Sequence, residues 1–166
     1  MWRLEKFEFN IKNFIATKNI VALGCGFSDG LALGSNTKST IIRIGLEEMK
    51  KFTQLFFKDS KDEVYFESCG IADLITTCYA GRNYKVSMEF AKTGKSIDVL
   101  ESEMLKGQKL QGTLTLQEVV EVLEKKKLLD QFPLFKTLFE IIFEKKSVKN
   151  FIPILQDNLQ FTCSKL

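Results

Sequence analysis

Histidine is absent from this 166-residue chain. Its absence removes Ser-His-Asp and Cys-His catalysis, histidine-ligated metal sites and the side chain that ordinarily titrates near neutral pH. Any acid–base chemistry therefore falls to Lys, Asp, Glu, Tyr or Cys. Proline is scarce, at two residues, and no repeat or low-complexity tract interrupts the chain, so no internal linker is expected. No apolar run approaches the roughly 18 residues that a membrane span needs. The first 18 residues alternate apolar and charged side chains and lack the apolar core of a secretory signal. Cys25, Cys69, Cys78 and Cys163 form no CxxC pair, which argues against zinc and for reduced, buried thiols.

A strong charge of either sign is also missing. There are 24 Lys and Arg against 21 Asp and Glu, a net of +3. The charges balance from residue 61 onward, so the whole excess lies in the first 60. That is too mild for a nucleic-acid protein, which carries a basic face or stripe. The runs Lys125-Lys126-Lys127 and Lys145-Lys146 each follow a Glu and read as solvated helix ends.

What remains is a chain with 45% apolar residues and 15 Phe, enough for one domain with a packed core. Its patterning is mostly helical. Asn36 is placed to cap a helix carrying Ile42, Leu46, Met49, Phe52 and Phe56, with Gly45 on the same face for close helix packing. Phe66–Tyr79 reads as a helix that ends at Ala80-Gly81. Thr115-Leu116-Gln117-Glu118 matches a capping box leading into Val119, Val120 and Leu123. Pro133 fits the first turn of a helix with Leu134, Leu138 and Ile142. Ser147 is placed to cap a last short helix with Phe151, Ile152 and Leu155, which Pro153 is expected to shorten or bend. Phe7, Phe9, Ile11 and Phe14 nearly alternate with polar residues, so residues 1–17 read as strand-like.

Several stretches carry possible chemistry. The apolar run Ile20–Leu23 followed by Gly24-Cys25-Gly26 resembles the entry to a dinucleotide turn. The third glycine of that fingerprint falls on Asp29, however, so the better reading is a buried helix with glycines for close approach. Gly34–Ser39 lacks the spacing of a phosphate loop. Lys18, directly before the apolar run, is either a surface lysine or a partly desolvated proton shuttle. Asp73 and Thr77 are four apart and share a helical face. Arg82-Asn83 follows the Gly81 turn and presents a guanidinium fork and an amide, the parts of an anion site. Gly107–Gly112 is a glycine-bounded loop with Lys109 and two amides, Gln108 and Gln111.

Taken together and in order, Thr17–Leu31, Asn36-Thr37-Lys38, Glu67–Asn83, Gly107–Gly112 and Phe132–Phe135 resemble one family. It is the C-terminal, substrate-binding domain of eukaryotic NAD-dependent glycerol-3-phosphate dehydrogenase. The resemblance implies an all-α, multi-helix domain of the 6-phosphogluconate dehydrogenase C-terminal-domain-like type, without its Rossmann partner. It implies a domain over residues 16–155, a divergent segment over 1–15 and a tail over 156–166. It also implies interconversion of dihydroxyacetone phosphate and glycerol 3-phosphate, with NAD as cofactor, no metal and a homodimer. Carried over, Lys18 is the catalytic proton donor and acceptor, and Asn19 binds substrate beside it. Asp73 and Thr77 line the site, and Arg82 and Asn83 hold the substrate phosphate. Arg82, Lys109 and Gln111 face the cofactor.

The chain departs from the family pattern at Ile15, where a glycine is usual, and in residues 1–15. The nucleotide-binding domain expected before Lys18 is not in the 166 residues, so the isolated chain is expected to be inactive. The rival readings are a non-enzymatic helical module for dimerisation or phosphometabolite binding, and a related domain acting on another 2-hydroxy acid or sugar. The pairs Lys18-Asn19 and Arg82-Asn83 argue against the last. Ser164-Lys165-Leu166 has the form of a peroxisomal address, implying an import receptor and a peroxisome or glycosome-like organelle, with the cytoplasm as the alternative. No nucleic-acid or membrane partner is expected.

Overall fold

The computed structural model describes residues 2–56 and 62–163, with side chains between residues 16 and 160. Among the described residues there are eight α-helices and no strand: α1 (Trp2–Gly30), α2 (Ser35–Phe56), α3 (Asp73–Ala80), α4 (Arg82–Thr93), α5 (Ile97–Leu105), α6 (Gln111–Lys125), α7 (Pro133–Ile142) and α8 (Phe151–Cys163). None of them is long and apolar enough to cross a membrane.

The axis of the fold is α1. Helices α2, α3, α4, α6 and α7 all pack on it. Ile20, Val21, Ala22 and Leu23 are successive residues and each is fully buried, as are Cys25 and Phe27. Four consecutive apolar residues cover a full helical turn, so this stretch must be surrounded rather than amphipathic. The apolar run that resembles a Rossmann strand is thus a buried helix. Its glycines set how close the neighbours come. A Cβ at Gly26 would enter the Ser87 hydroxyl and lie 2.5 Å from the Tyr84 carbonyl oxygen of α4. A Cβ at Gly45 of α2 would run into Val21.

The expected strand character of residues 1–17 is not found, since α1 is continuous from Trp2. Leu4, Phe7, Ile11 and Phe14 are also spaced three, four and three apart, which satisfies a helix as well as their near-alternation suggests a strand. The single helix expected over Phe66–Tyr79 is divided. A 3₁₀ turn covers Asp62–Phe66, a π turn covers Ser68–Ala72, and α3 follows. The break is at Gly70, whose φ of −96° and ψ of −108° are not helical.

Helix α6 starts at Gln111, four residues before the capping box at Thr115, which lies inside the helix and is buried. Its first donors are satisfied from elsewhere. The Leu110 N–H donates to Glu101 Oε1 at 2.9 Å and the Gly112 N–H to Asn83 Oδ1 at 2.8 Å. Pro133 does open α7, and Gly81 does separate α3 from α4. Pro153 sits in the first turn of α8, where its missing N–H breaks no helical bond, so the helix runs to Cys163 rather than stopping short. Cys25 and Cys78 are buried free thiols, and a hydrogen bond to Cys78, aided by burial, pushes the Cys25 thiol up.

The buried side of α2 is Lys38, Ile41, Ile44, Gly45, Glu48, Met49, Phe52 and Thr53. It is rotated from the expected stripe: Ile42 and Leu46 are only half-buried and Phe56 is exposed. Two charged residues therefore point inward. Glu48 accepts hydrogen bonds from the Leu134 N–H at 2.6 Å and the Phe135 N–H at 3.0 Å, capping α7, which has no side-chain cap of its own. Burial pushes its carboxyl up to about 8, against the two N–H groups, which favour the ionised form.

Two outcomes test this packing. Gly26→Ala is expected to lower the unfolding free energy by about 1–3 kcal/mol through overpacking, although alanine is the better helix former by about 1 kcal/mol; a urea titration followed by circular dichroism measures it. Glu48 has a folded pKa of about 8 against an ordinary value of 4.5. Its ionisation therefore opposes folding, and the stability it contributes is present at low pH and lost as pH rises through 8. The melting temperature should fall between about pH 5 and pH 8, and Glu48→Gln should flatten that fall.

Candidate functional site

Lys18 lies on α1 one residue before Asn19 and two before the fully buried Ile20, at the mouth of the core. Its ammonium pairs with the carboxylate of Asp73, the first residue of α3, and its side chain is 15% exposed. Thr77, one turn further along α3, donates its hydroxyl to the Asp73 backbone carbonyl at 2.7 Å. Of the two residues that share a helical face in the sequence, Asp73 meets Lys18 and Thr77 bonds back to Asp73.

The second half of the site is the start of α4. Gly81 has extended backbone (φ −69°, ψ 163°) and turns the chain between α3 and α4. Asn83, buried, follows exposed Arg82 in the first turn of α4. Asn83 Nδ2 donates to Asn19 Oδ1 at 2.9 Å, while its Oδ1 accepts from the Gly112 N–H at 2.8 Å. One carboxamide therefore ties α1, α4 and α6 together next to Lys18. The Arg82 guanidinium donates to Gln108 Oε1 at 3.1 Å, which brings the Gly107–Gly112 loop against the same edge.

Lys18, Asn19, Asp73 and Asn83 are so brought together by the central helix and the starts of α3 and α4, with Thr77 one turn along α3 from Asp73 and Arg82 next to Asn83. The two remaining candidates lie to one side. Gln111 is exposed, and its Nε2 donates to Thr115 Oγ1 at 3.3 Å. Lys109 turns away from Arg82 to pair with Asp98 Oδ1 and Glu101 Oε2, both at 2.8 Å. Asp98 first, and Glu101 after it, push the Lys109 ammonium well above its ordinary range. Among the described residues no cluster of three or more metal-ligating side chains occurs.

Three residues are not among the site candidates, although Gln108 and Gly112 fall in the Gly107–Gly112 loop and Lys38 in the Asn36-Thr37-Lys38 motif. Gln108 and Gly112 act through partners 26 and 29 residues away, Arg82 and Asn83. The third is the buried Lys38, which pairs with Asp29 at 2.6 Å. Its spacing on the inward stripe with Ile41, Gly45 and Glu48 was the available clue.

Comparison with known proteins follows this geometry. Residues 11–153 match the family model described as NAD-dependent glycerol-3-phosphate dehydrogenase C-terminus. The chain is 56% identical over 145 residues to glycerol-3-phosphate dehydrogenase 1-like protein of Danio rerio, covering 86% of this chain and 41% of that protein. It is 54% identical over 144 residues to the cytoplasmic NAD(+) glycerol-3-phosphate dehydrogenase of Bos taurus, again covering 86% and 41%. Among solved structures, the Saccharomyces cerevisiae glycerol-3-phosphate dehydrogenase superposes with a TM-score of 0.82 at 44% identity, over 87% of this chain and 42% of that one. The Plasmodium falciparum glycerol-3-phosphate dehydrogenase gives 0.81 at 45% identity, over 87% and 41%. The chain thus spans about two fifths of the length of the relatives it matches. A family match across 143 of 166 residues, with the helical fold to accompany it, assigns this chain to the C-terminal domain family of NAD-dependent glycerol-3-phosphate dehydrogenase.

Proposed function

We propose that this chain is the substrate half of an NAD-dependent interconversion of dihydroxyacetone phosphate and glycerol 3-phosphate. The observation that carries it is the ammonium of Lys18, held by Asp73 beside the Asn19–Asn83 pair, with the Arg82 guanidinium exposed at the start of α4. A phosphate dianion suits an Arg fork with an amide and helix N–H groups beside it. A ketone that accepts hydride at C2 develops negative charge on its oxygen, and a nearby ammonium stabilises that charge and protonates it.

In reduction, hydride adds to C2, the carbonyl π pair moves to oxygen, and Lys18 gives that oxygen its proton. In oxidation Lys18 takes the proton back. Asp73 fixes the ammonium and balances its charge. Asn19 has its Oδ1 occupied by Asn83, which leaves its NH₂ to donate to a substrate oxygen. Thr77 has its proton committed to the Asp73 carbonyl, which leaves its oxygen to accept from a substrate hydroxyl.

NAD, when bound, supplies or removes the hydride. We assign Arg82 and Gln111, both exposed, to its anionic edge. Lys109 reaches that edge only by leaving Asp98 and Glu101. Asp98 is 84% exposed, so that half of the exchange is screened by water and costs little. We take residues 16–155 as the functional unit and a homodimer as its assembled form. Ser164-Lys165-Leu166, which lies outside the described residues, is read as a peroxisomal or glycosomal address, with the cytoplasm as the alternative.

The 166 residues alone should show no NADH oxidation with dihydroxyacetone phosphate, because positioning of the reactants supplies about 7–11 kcal/mol of such a barrier. Fused behind the nucleotide-binding half of a relative, the chain should turn over. In that fusion Lys18→Ala should lower kcat by about 10²–10⁴-fold with NADH affinity kept. Arg82→Ala should instead raise KM for dihydroxyacetone phosphate about 10–100-fold. Near-normal kcat in Lys18→Ala would remove the proton-transfer role. A chain tagged at its N-terminus should gather in puncta, and deletion of Ser164–Leu166 should disperse it; fluorescence that is diffuse with the tail intact would remove the address.

A further inference from the structure

Lys38 is the most enclosed cation in the described structure, with 4% of its surface exposed. It lies in the first turns of α2, and four helices meet at its ammonium. Asp29, near the end of α1, pairs with it at 2.6 Å. The ring of Tyr79, in the last turn of α3, has its centroid 3.8 Å away, and the ring of Tyr84, in the first turn of α4, lies at 4.4 Å. The Tyr84 hydroxyl closes the group by donating to the same Asp29 oxygen at 2.7 Å. Burial is the largest influence and pulls the ammonium toward its neutral form, but the bond and the charge of Asp29 together with its other neighbours outweigh it, and the net movement is upward. The cage therefore favours the charged form.

The two rings lie on either side of Gly81. The turn is bonded into both helices, the Gly81 N–H donating to the Thr77 carbonyl at 3.3 Å and the Lys85 N–H to the Gly81 carbonyl at 3.1 Å, and its extended backbone breaks the helical path between them. Tyr79 follows Asp73 and Thr77 on α3, and Tyr84 directly follows Arg82 and Asn83 on α4. Asp73, which holds Lys18, and Asn83 of the amide pair thus sit on different helices, each packed on α1, and the Lys38 cage is a side-chain contact that joins the end of one to the start of the other. We infer that Lys38 is a positioning residue: its caged ammonium clamps the α3–α4 turn and so sets Arg82 and Asn83 at the distance from Lys18 and Asp73 that a phosphorylated three-carbon substrate needs. The clamp itself stands on geometry; its consequence for substrate rests on reading Arg82 and Asn83 as the phosphate pair.

The Gly112 N–H donates to Asn83 Oδ1 and so reports on where Asn83 sits. Amide hydrogen exchange of the labelled chain, read at Gly112 and at the core residue Leu116, separates local displacement from general loss of stability. Lys38→Met should speed exchange at Gly112 about tenfold more than at Leu116, in line with loss of two cation–π contacts. Lys38→Arg keeps the charge and should stay within about threefold of wild type. Tyr79 is half-exposed, so its variants keep the core intact. Tyr79→Leu should reproduce the Lys38→Met pattern and Tyr79→Phe should not. Titration with glycerol 3-phosphate should weaken about tenfold in Lys38→Met and Tyr79→Leu. Equal acceleration at both amides, or none, overturns the clamp. Wild-type chain that shows no glycerol 3-phosphate binding while the Gly112 pattern holds would leave the clamp standing and remove the phosphate reading of Arg82 and Asn83.

Discussion

The whole arrangement depends on how closely α4 can approach α1. At Gly26 the α4 backbone comes so near that no side chain fits between the helices. That contact carries Ser87 against α1, and the Ser87 hydroxyl donates to the Asn83 carbonyl at 2.7 Å. Separation of the two helices by one methyl group would move the first turn of α4 away from Asn19, and the amide bridge between them would be lost. The absence of a side chain in the core thus sets the spacing of polar groups at the surface.

Around that contact the site is assembled from helix ends. Asp73 begins α3, Arg82 begins α4, and the N-terminus of α6 is completed by Asn83 rather than by its own residues. The starts of α4 and α6 carry positive potential, which favours an anion before any side chain is counted. The central helix contributes Lys18 and Asn19 at the point where it emerges from the core. Helices therefore carry each side chain, and the loop of residues 107–110 is an irregular segment beside the site.

Much of this was legible in the residues. The Gly-x-Gly after an apolar run separated itself from a nucleotide turn by the misplacement of its third glycine, and Gly45 announced close packing that Val21 provides. Type and spacing alone left Lys18-Asn19, Asp73 with Thr77, and Arg82-Asn83 open to a plain surface reading, and the family resemblance singled them out; Lys18 meets Asp73 and Asn19 meets Asn83 in space. What escaped was non-local. Charged residues on an inward stripe, Lys38 and Glu48, look like a solvated face until their partners on other helices are known. The start of α6 was misplaced because its cap comes from a residue 29 positions away. The amino-terminal segment satisfied two periodicities at once, and only continuity with α1 chose between them.

The two bonds of the Asn83 side chain have opposite polarity: one end must give a hydrogen to Asn19 and the other must receive one from Gly112. A carboxamide rotated by half a turn would set donor against donor and acceptor against acceptor, so only one orientation survives. Of the two hydrogens on Nδ2, one is spent on Asn19, and the other is left over. The Oδ1 likewise keeps a second lone pair beyond the Gly112 N–H, so what is fixed is which end of the amide each neighbour meets. The orientation of the side chain is fixed by Asn19 on α1 and Gly112 on α6, two residues far apart in the sequence that one amide keeps in register.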